Sequence, residues 1–359
     1  MRQLILYFTV FIVIFLSGCV PISYYIQAIN GQLDVWNRRQ PVDDWLSNTA
    51  IDATLKSRLQ RANSLRNYAI TELGLPDHGS FRQYADLQRA HAVWAVVATP
   101  EFSLQPVSWC FPVVGCLSYR GYFVERDAEV FADTLRETGQ DVQINGVPAY
   151  STLGWFADPL LNTFIHWPQG HLAGLIFHEM AHEKLYIADD TTFNESFAES
   201  VAQIGVRKWF TENGLVDQMD RYESYLEQKR TFLQLVAETR HTLEQLYASE
   251  KSEIEKRTEK KRVIEAMRQS YIIYKGGNTE PMAYDGWFES EINNAKLATV
   301  STYSKWVPAF LALYREQGND LDRYYTEIQR VSELPIAQRE AVLACIGNTE
   351  ESCNKESPK

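Results

Sequence analysis

Phe177-His178-Glu179-Met180-Ala181-His182, followed by Asn194-Glu195-Ser196-Phe197-Ala198-Glu199, carries the densest chemical information in this chain. The apolar residues Leu175, Ile176, Phe177 and Ala181 mark a helix packed in a core. Residues four apart on a helix share one face, so His178 and His182 can donate nitrogens to one ion. Glu179 is rotated about 100° from His178, which sets it beside the ion rather than on it. Zinc lowers the pKa of a water toward about 7, and Glu179 then stands where it can take the proton. A catalytic zinc has three protein ligands and one open position. Glu195 is the expected third ligand, because it opens the next helix and a short link can bring the two helices together. Glu199, one turn further on, is expected to accept a hydrogen bond from a ligand imidazole and fix its tautomer. The reverse assignment, with Glu199 ligating and Glu195 supporting, stays open. The pattern fits metal-assisted hydrolysis of an amide bond, with one zinc ion as cofactor.

Outward from this motif the chain is mostly helical in pattern. The metal helix is expected over residues 172–187 and its partner over 195–212, with Phe197, Val201, Ile204 and Trp209 as the partner's apolar face. Residues 215–275 contain no Pro or Gly, and 249–262 are almost wholly charged, which predicts a long helical hairpin or projecting arm. A solvated helix pair packed on the catalytic unit is the plain reading of that arm; a site for a protein partner is the other. Residues 286–315 and 319–347 return to helical patterns. On the N-terminal side, residues 43–73 carry Leu46, Ile51, Leu55, Leu59 and Leu65 near helical spacing. Residues 81–99 read as a helix or a helix-to-strand passage. Residues 126–138 read as an amphipathic helix on Ala128, Val130, Phe131 and Leu135. Residues 141–144 and 149–155 read as strands around an Asn145-Gly146 hairpin turn. The fold class is therefore α+β, mainly α-helical, with a small sheet before the metal motif.

Hydrophobic residues make up 45% of the chain, enough for a sizeable core, and the formal net charge of −11 argues against a nucleic-acid partner. Arg2 and the apolar run of residues 4–16 form a targeting segment too short to span comfortably. It ends in Leu16-Ser17-Gly18-Cys19, which resembles a bacterial lipobox and implies cleavage before Cys19 with lipid attached there. Val20, a residue other than Asp after that cysteine, implies the outer membrane, with the protein facing the periplasm and held to the membrane through its lipid. The even count of remaining cysteines in an exported chain suggests disulfides. Of three connectivities, the two local pairs Cys110 with Cys116 and Cys345 with Cys353 are expected. The organisation is a signal peptide over 1–18, one catalytic domain over 19–350 with an arm at about 215–275, and a tail over 351–359.

The His-Glu-Met-Ala-His motif with a glutamate on the following helix resembles the gluzincin peptidases, although the link from His182 to Glu195 is shorter than in the best-known ones. Residues 116–123 (Cys-Leu-Ser-Tyr-Arg-Gly-Tyr-Phe), 147–161, 176–182, 193–198 and 293–297 (Asn-Asn-Ala-Lys-Leu) resemble the predicted bacterial aminopeptidase lipoproteins over most of the mature chain. That resemblance implies a gluzincin-like zinc-peptidase core acting on a peptide substrate. In gluzincins the place of residues 147–155 holds an edge strand that pairs with substrate backbone, so the resemblance makes Tyr150, Ser151 and Gly154 candidates for substrate binding, with a plain core strand as the other reading. Tyr303, which follows Asn293-Asn294 in a family-like segment, becomes a candidate oxyanion donor, with Tyr119, Arg120 and Tyr150 as others. Two rivals to an aminopeptidase stand beside it: an envelope endopeptidase, and a non-catalytic envelope scaffold with a structural metal.

Overall fold

The computed structural model describes residues 22–111, 115–149, 157–300 and 305–347. The order begins α1 (Ile22–Arg38), β1 (Arg39–Pro41), α2 (Val42–Ser47), α3 (Ala53–Thr71), β2 (Gln83–Ala85) and β3 (Val93–Thr99). It continues β4 (Trp109–Phe111), β5 (Gly115–Leu117), β6 (Arg120–Tyr122), α4 (Glu125–Glu137), β7 (Asp141–Val147) and β8 (Leu160–Leu161). Helices fill the rest: α5 (Gln169–Lys184), α6 (Thr191–Glu212), α7 (Val216–Ala248), α8 (Glu253–Lys275), α9 (Asp285–Glu289), α10 (Asn294–Thr299), α11 (Val307–Glu316), α12 (Leu321–Ser332) and α13 (Ile336–Gly347). The molecule is mainly helical, and its described residues form two three-stranded sheets and one two-stranded antiparallel pair rather than one small sheet.

Several expectations are corrected. The helix expected over 43–73 is two helices, because polar side chains compete for the backbone between them. Asn48 Oδ1 accepts from Ala50 N at 2.9 Å, and Asp52 caps α3 by accepting from Thr54 N and Leu55 N at 3.0 Å each. Residues 81–99 are strands and turns. β3 is the central strand of the sheet β6-β3-β7, and α4 and α10 both pack on it, so its continuous apolar run fits a buried strand as well as a helix. No hairpin forms at Asn145-Gly146; β7 runs straight through, with Asn145 opposite Ala95 and Gly146 opposite Trp94. Gly146 serves close approach instead, since a Cβ there would lie 2.4 Å from the His91 ring. In α4, Ala128 and Ala132 are the buried positions, while Val130 is 57% exposed and lies off the packed face.

Among the described residues three apolar clusters result. The largest joins α3, α5, α6 and α11 to α13 with the sheet β1-β2-β8. A second lies within the α7–α8 arm and takes in Phe288, Ile292 and Leu297. The third joins α4 to the sheet around β3. The charged stretch of the arm is pinned to the body. Lys260 Nζ donates to Asp141 at 2.5 Å, and Arg257 donates to both Glu101 oxygens at 2.6 and 2.8 Å. Cys110 and Cys116 face each other across β4 and β5 and are joined as a disulfide. Cys345 is disulfide-bonded as well, and Cys353 lies outside the described residues. Among the described residues no helix is long and apolar enough to cross a membrane.

Candidate metal centre and active site

The site is built on α5 and α6, the helix pair with the most extensive mutual packing. Leu172, Ala173, Ile176, Phe177, Met180 and Ala181 bury one side of α5. α6 is buried nearly all round, well beyond the single face expected from its sequence. Gly205 lets the two helices close up, because a Cβ there would sit 2.7 Å from the Phe177 ring. The chain reverses between them through a short loop held by Asn194, which is 1% exposed. Its Oδ1 accepts from Ile187 N at 2.9 Å and its Nδ2 donates to Ile187 O at 2.7 Å. Asp190 caps α6 by accepting from Phe193 N at 3.0 Å, and Arg339 from α13 pairs with Asp190. Asn194→Ala is expected to cost about 1–3 kcal/mol of stability, since two backbone groups lose their partners. A divalent ion added to the protein is also expected to bind about 10–100-fold more weakly at the neighbouring donors. Chelator competition reads the second effect, and unchanged affinity would remove Asn194 from the site's support.

His178, His182 and Glu195 come together, with one ligand atom from each lying within 4.8 Å of the others. The two Nε2 atoms stand 3.2 Å apart, and the Glu195 oxygens lie 3.3 Å from His178 Nε2 and 3.5 Å from His182 Nε2. Ligands on a tetrahedral zinc at about 2.05 Å are spaced about 3.3 Å from one another, so this triangle has the right size. Two imidazole nitrogens and a carboxylate oxygen turned toward one point form a donor set that suits a cation. Burial lowers the His178 pKa, but the Glu195 hydrogen bond and the charges of Glu179, Glu195 and Glu199 outweigh it and leave it raised. Burial, then the charge of His178, holds His182 down to about 4. Burial pushes the Glu195 carboxyl up, and hydrogen bonding and charge from His178 reverse this to leave it lowered. The donor set therefore fits a divalent metal.

Residues 23–343 match the family described as "Putative aminopeptidase" (Aminopep). The chain belongs to that family. No curated protein and no solved structure matches it. Membership in the Aminopep family supports a peptidase activity in general terms.

In this Aminopep chain the two glutamates of α6 part company. Glu195 stands among the histidines, whereas Glu199 Oε2 lies 4.0 Å from His178 Nδ1, on the ring's other side. Glu199 Oε1 instead accepts from Lys229 Nζ at 2.8 Å and from Gln203 Nε2 at 3.0 Å. Burial raises the Glu199 pKa, and the Lys229 ammonium with its hydrogen bond more than reverses this. Lys229, on the arm helix α7, is a supporting residue that sequence reasoning missed; 30 residues separate it from Glu199 and no local motif joins them. His182 Nδ1 is buried without a hydrogen-bond partner among the described residues.

Glu179 lies on α5 next to His178 and lines a small apolar pocket with Trp36, Phe81, Phe164 and Leu175. Arg120 is buried, with its guanidinium over the rings of Tyr24 and Phe131. Tyr119 is 43% exposed. Tyr150, Ser151, Gly154 and Tyr303 lie outside the described residues, as does Cys19.

Proposed function

We propose that this chain is a zinc-dependent peptidase, acting as an aminopeptidase, in which His178, His182 and Glu195 hold one zinc ion. The observation that carries this reading is the convergence of those three donors with Glu179 next to His178 on the same helix. When bound, zinc supplies Lewis acidity that lets water ionise near neutral pH and polarises a carbonyl. A Glu179 carboxylate oxygen takes the proton of the attacking water and passes it to the departing amine nitrogen. Glu199, held by Lys229, keeps the His178 ring in place through its field. The Glu195 carboxylate balances positive charge at the two imidazoles.

Cleavage mapping by mass spectrometry tests this reading on a mixed library of free and N-acetylated peptides. Stepwise loss of N-terminal residues from free peptides only is the expected result. Internal cuts in both sets would make the protein an endopeptidase, and no cuts at all would favour the scaffold with a structural metal.

We also propose that the protein is lipid-anchored through Cys19 and faces the periplasm from the outer membrane. The first described helix supports a membrane-side placement. Ile22, Ile26, Ile29 and Leu33 are 61, 55, 59 and 43% exposed. They fall within an arc of about 60° on α1, counting 100° per residue. Tyr24 on the inner side stacks on Phe111. An apolar stripe that begins three residues after the expected lipid site suits the surface of a bilayer. Protein lacking residues 1–19 is expected to float with phospholipid vesicles, and Ile22→Ser/Ile26→Ser/Ile29→Ser to stay at the bottom of the gradient. Equal flotation of both would remove the stripe from membrane binding.

A further inference from the structure

A cavity of about 410 Å³ lies at the N-terminal end of α5, away from the metal donors. Gln169 opens the helix there, nine residues before His178 and so about 14 Å from it along the axis. Arg58 and Arg61 of α3 and Arg221 of α7 line the cavity together with Gln169, Gly170 and His171. Among the described residues no carboxylate lines it. None of the three arginines has an ion-pair partner among those residues. Three guanidinium groups from two helices thus share one cavity without a counter-charge, in a chain whose formal net charge is −11. Like charges brought together are eased by an anion placed among them. Burial, and then the Lys229 charge, lowers the His171 pKa, so the arginines carry the charge of the cavity.

The backbone adds donors at the same place. Pro168 is the N-cap of α5 and supplies no side-chain cap. His171 N and Leu172 N donate to Pro168 O at 3.0 Å each. Gly170 is buried, yet its N–H has no hydrogen-bond partner among the described residues. A buried amide donor is nearly always satisfied, and one in the first turn of a helix points out along the axis. The positive end of the helix dipole lies there as well. Against about 30 Å³ for one water, the cavity has room for a tetrahedral oxyanion and a substituent.

We propose that this cavity binds a phosphate-type oxyanion, held by Arg58, Arg61 and Arg221 beside the amide N–H groups that open α5. The source is either free phosphate or the phosphodiester of a lipid headgroup. Both present the charge and the acceptor oxygens that guanidinium forks and helix N-termini bind. The site is separate from the metal donors and does not depend on the peptidase reading.

The test uses the full chain in a nonionic detergent. In calorimetric titration, sodium phosphate is expected to bind about tenfold tighter or more than sodium acetate at equal ionic strength. Arg58→Gln/Arg221→Gln should weaken phosphate binding by about tenfold or more, with zinc content and the melting temperature in acetate unchanged. Phosphate resting on the metal would survive that substitution, and such survival would overturn the site. Equal affinities for phosphate and acetate in the wild type would overturn it too, whatever the variant does. Glycerophosphoglycerol, the deacylated headgroup of phosphatidylglycerol, decides the source. Binding tighter than that of phosphate, and lost in the double variant, assigns the cavity to a lipid headgroup; weaker binding assigns it to free phosphate.

Discussion

Glu179→Gln is expected to retain zinc at wild-type occupancy while turnover falls by about 10²–10⁴-fold, the range that a positioned general base contributes. The substitution keeps the size of the side chain, so the walls formed with Leu175 and Trp36 persist. It leaves the three converging donors His178, His182 and Glu195 unchanged. What it removes is the carboxylate that the proposed mechanism uses to accept a proton. The loss should fall on kcat and on kcat/KM alike, since the group acts in the transition state. Metal analysis beside peptide kinetics reads both halves. Wild-type turnover in the variant would end the role given to Glu179, and loss of the metal would make Glu179 a ligand instead.

Removing both imidazoles is expected to empty the site. In His178→Ala/His182→Ala only Glu195 remains of the converging donors, and a single carboxylate at 36% side-chain exposure does not hold zinc at micromolar concentration. A ligand that binds only the native state at 1,000 times its dissociation constant stabilises it by about 4.1 kcal/mol. The wild type should therefore melt lower when a chelator is added, and the double variant should show no chelator effect. Full zinc occupancy in the double variant would overturn the ligand assignment.

The difference between Glu195 and Glu199 was open in the sequence, because both are one helical turn apart and carry the same group. Two contacts separate them in the fold. Asn194 closes the loop onto Ile187 and so sets the first turn of α6 against the histidines. Lys229, from an arm helix, holds Glu199 behind His178. Neither contact follows from helical period. The Asn145-Gly146 misreading has the same origin: dipeptide statistics favour a turn, but seven residue pairs between β3 and β7 keep the strand straight. The charged face of the arm read as solvated, and in the fold Arg257 and Lys260 find Glu101 and Asp141 far away along the chain.

The two-histidine helix with its adjacent glutamate, the helix that follows it and the long Pro- and Gly-free arm were legible in the order of residues alone. Those features depend on periodicity and on breaker residues, which act within a few positions of the chain. Three pairings came to light in the folded chain: Glu195 with the histidines, Lys229 with Glu199, and Trp36 of the first helix beside Glu179. Such pairings depend on how buried faces of distant segments close over one core, and a local pattern of residues carries no record of that.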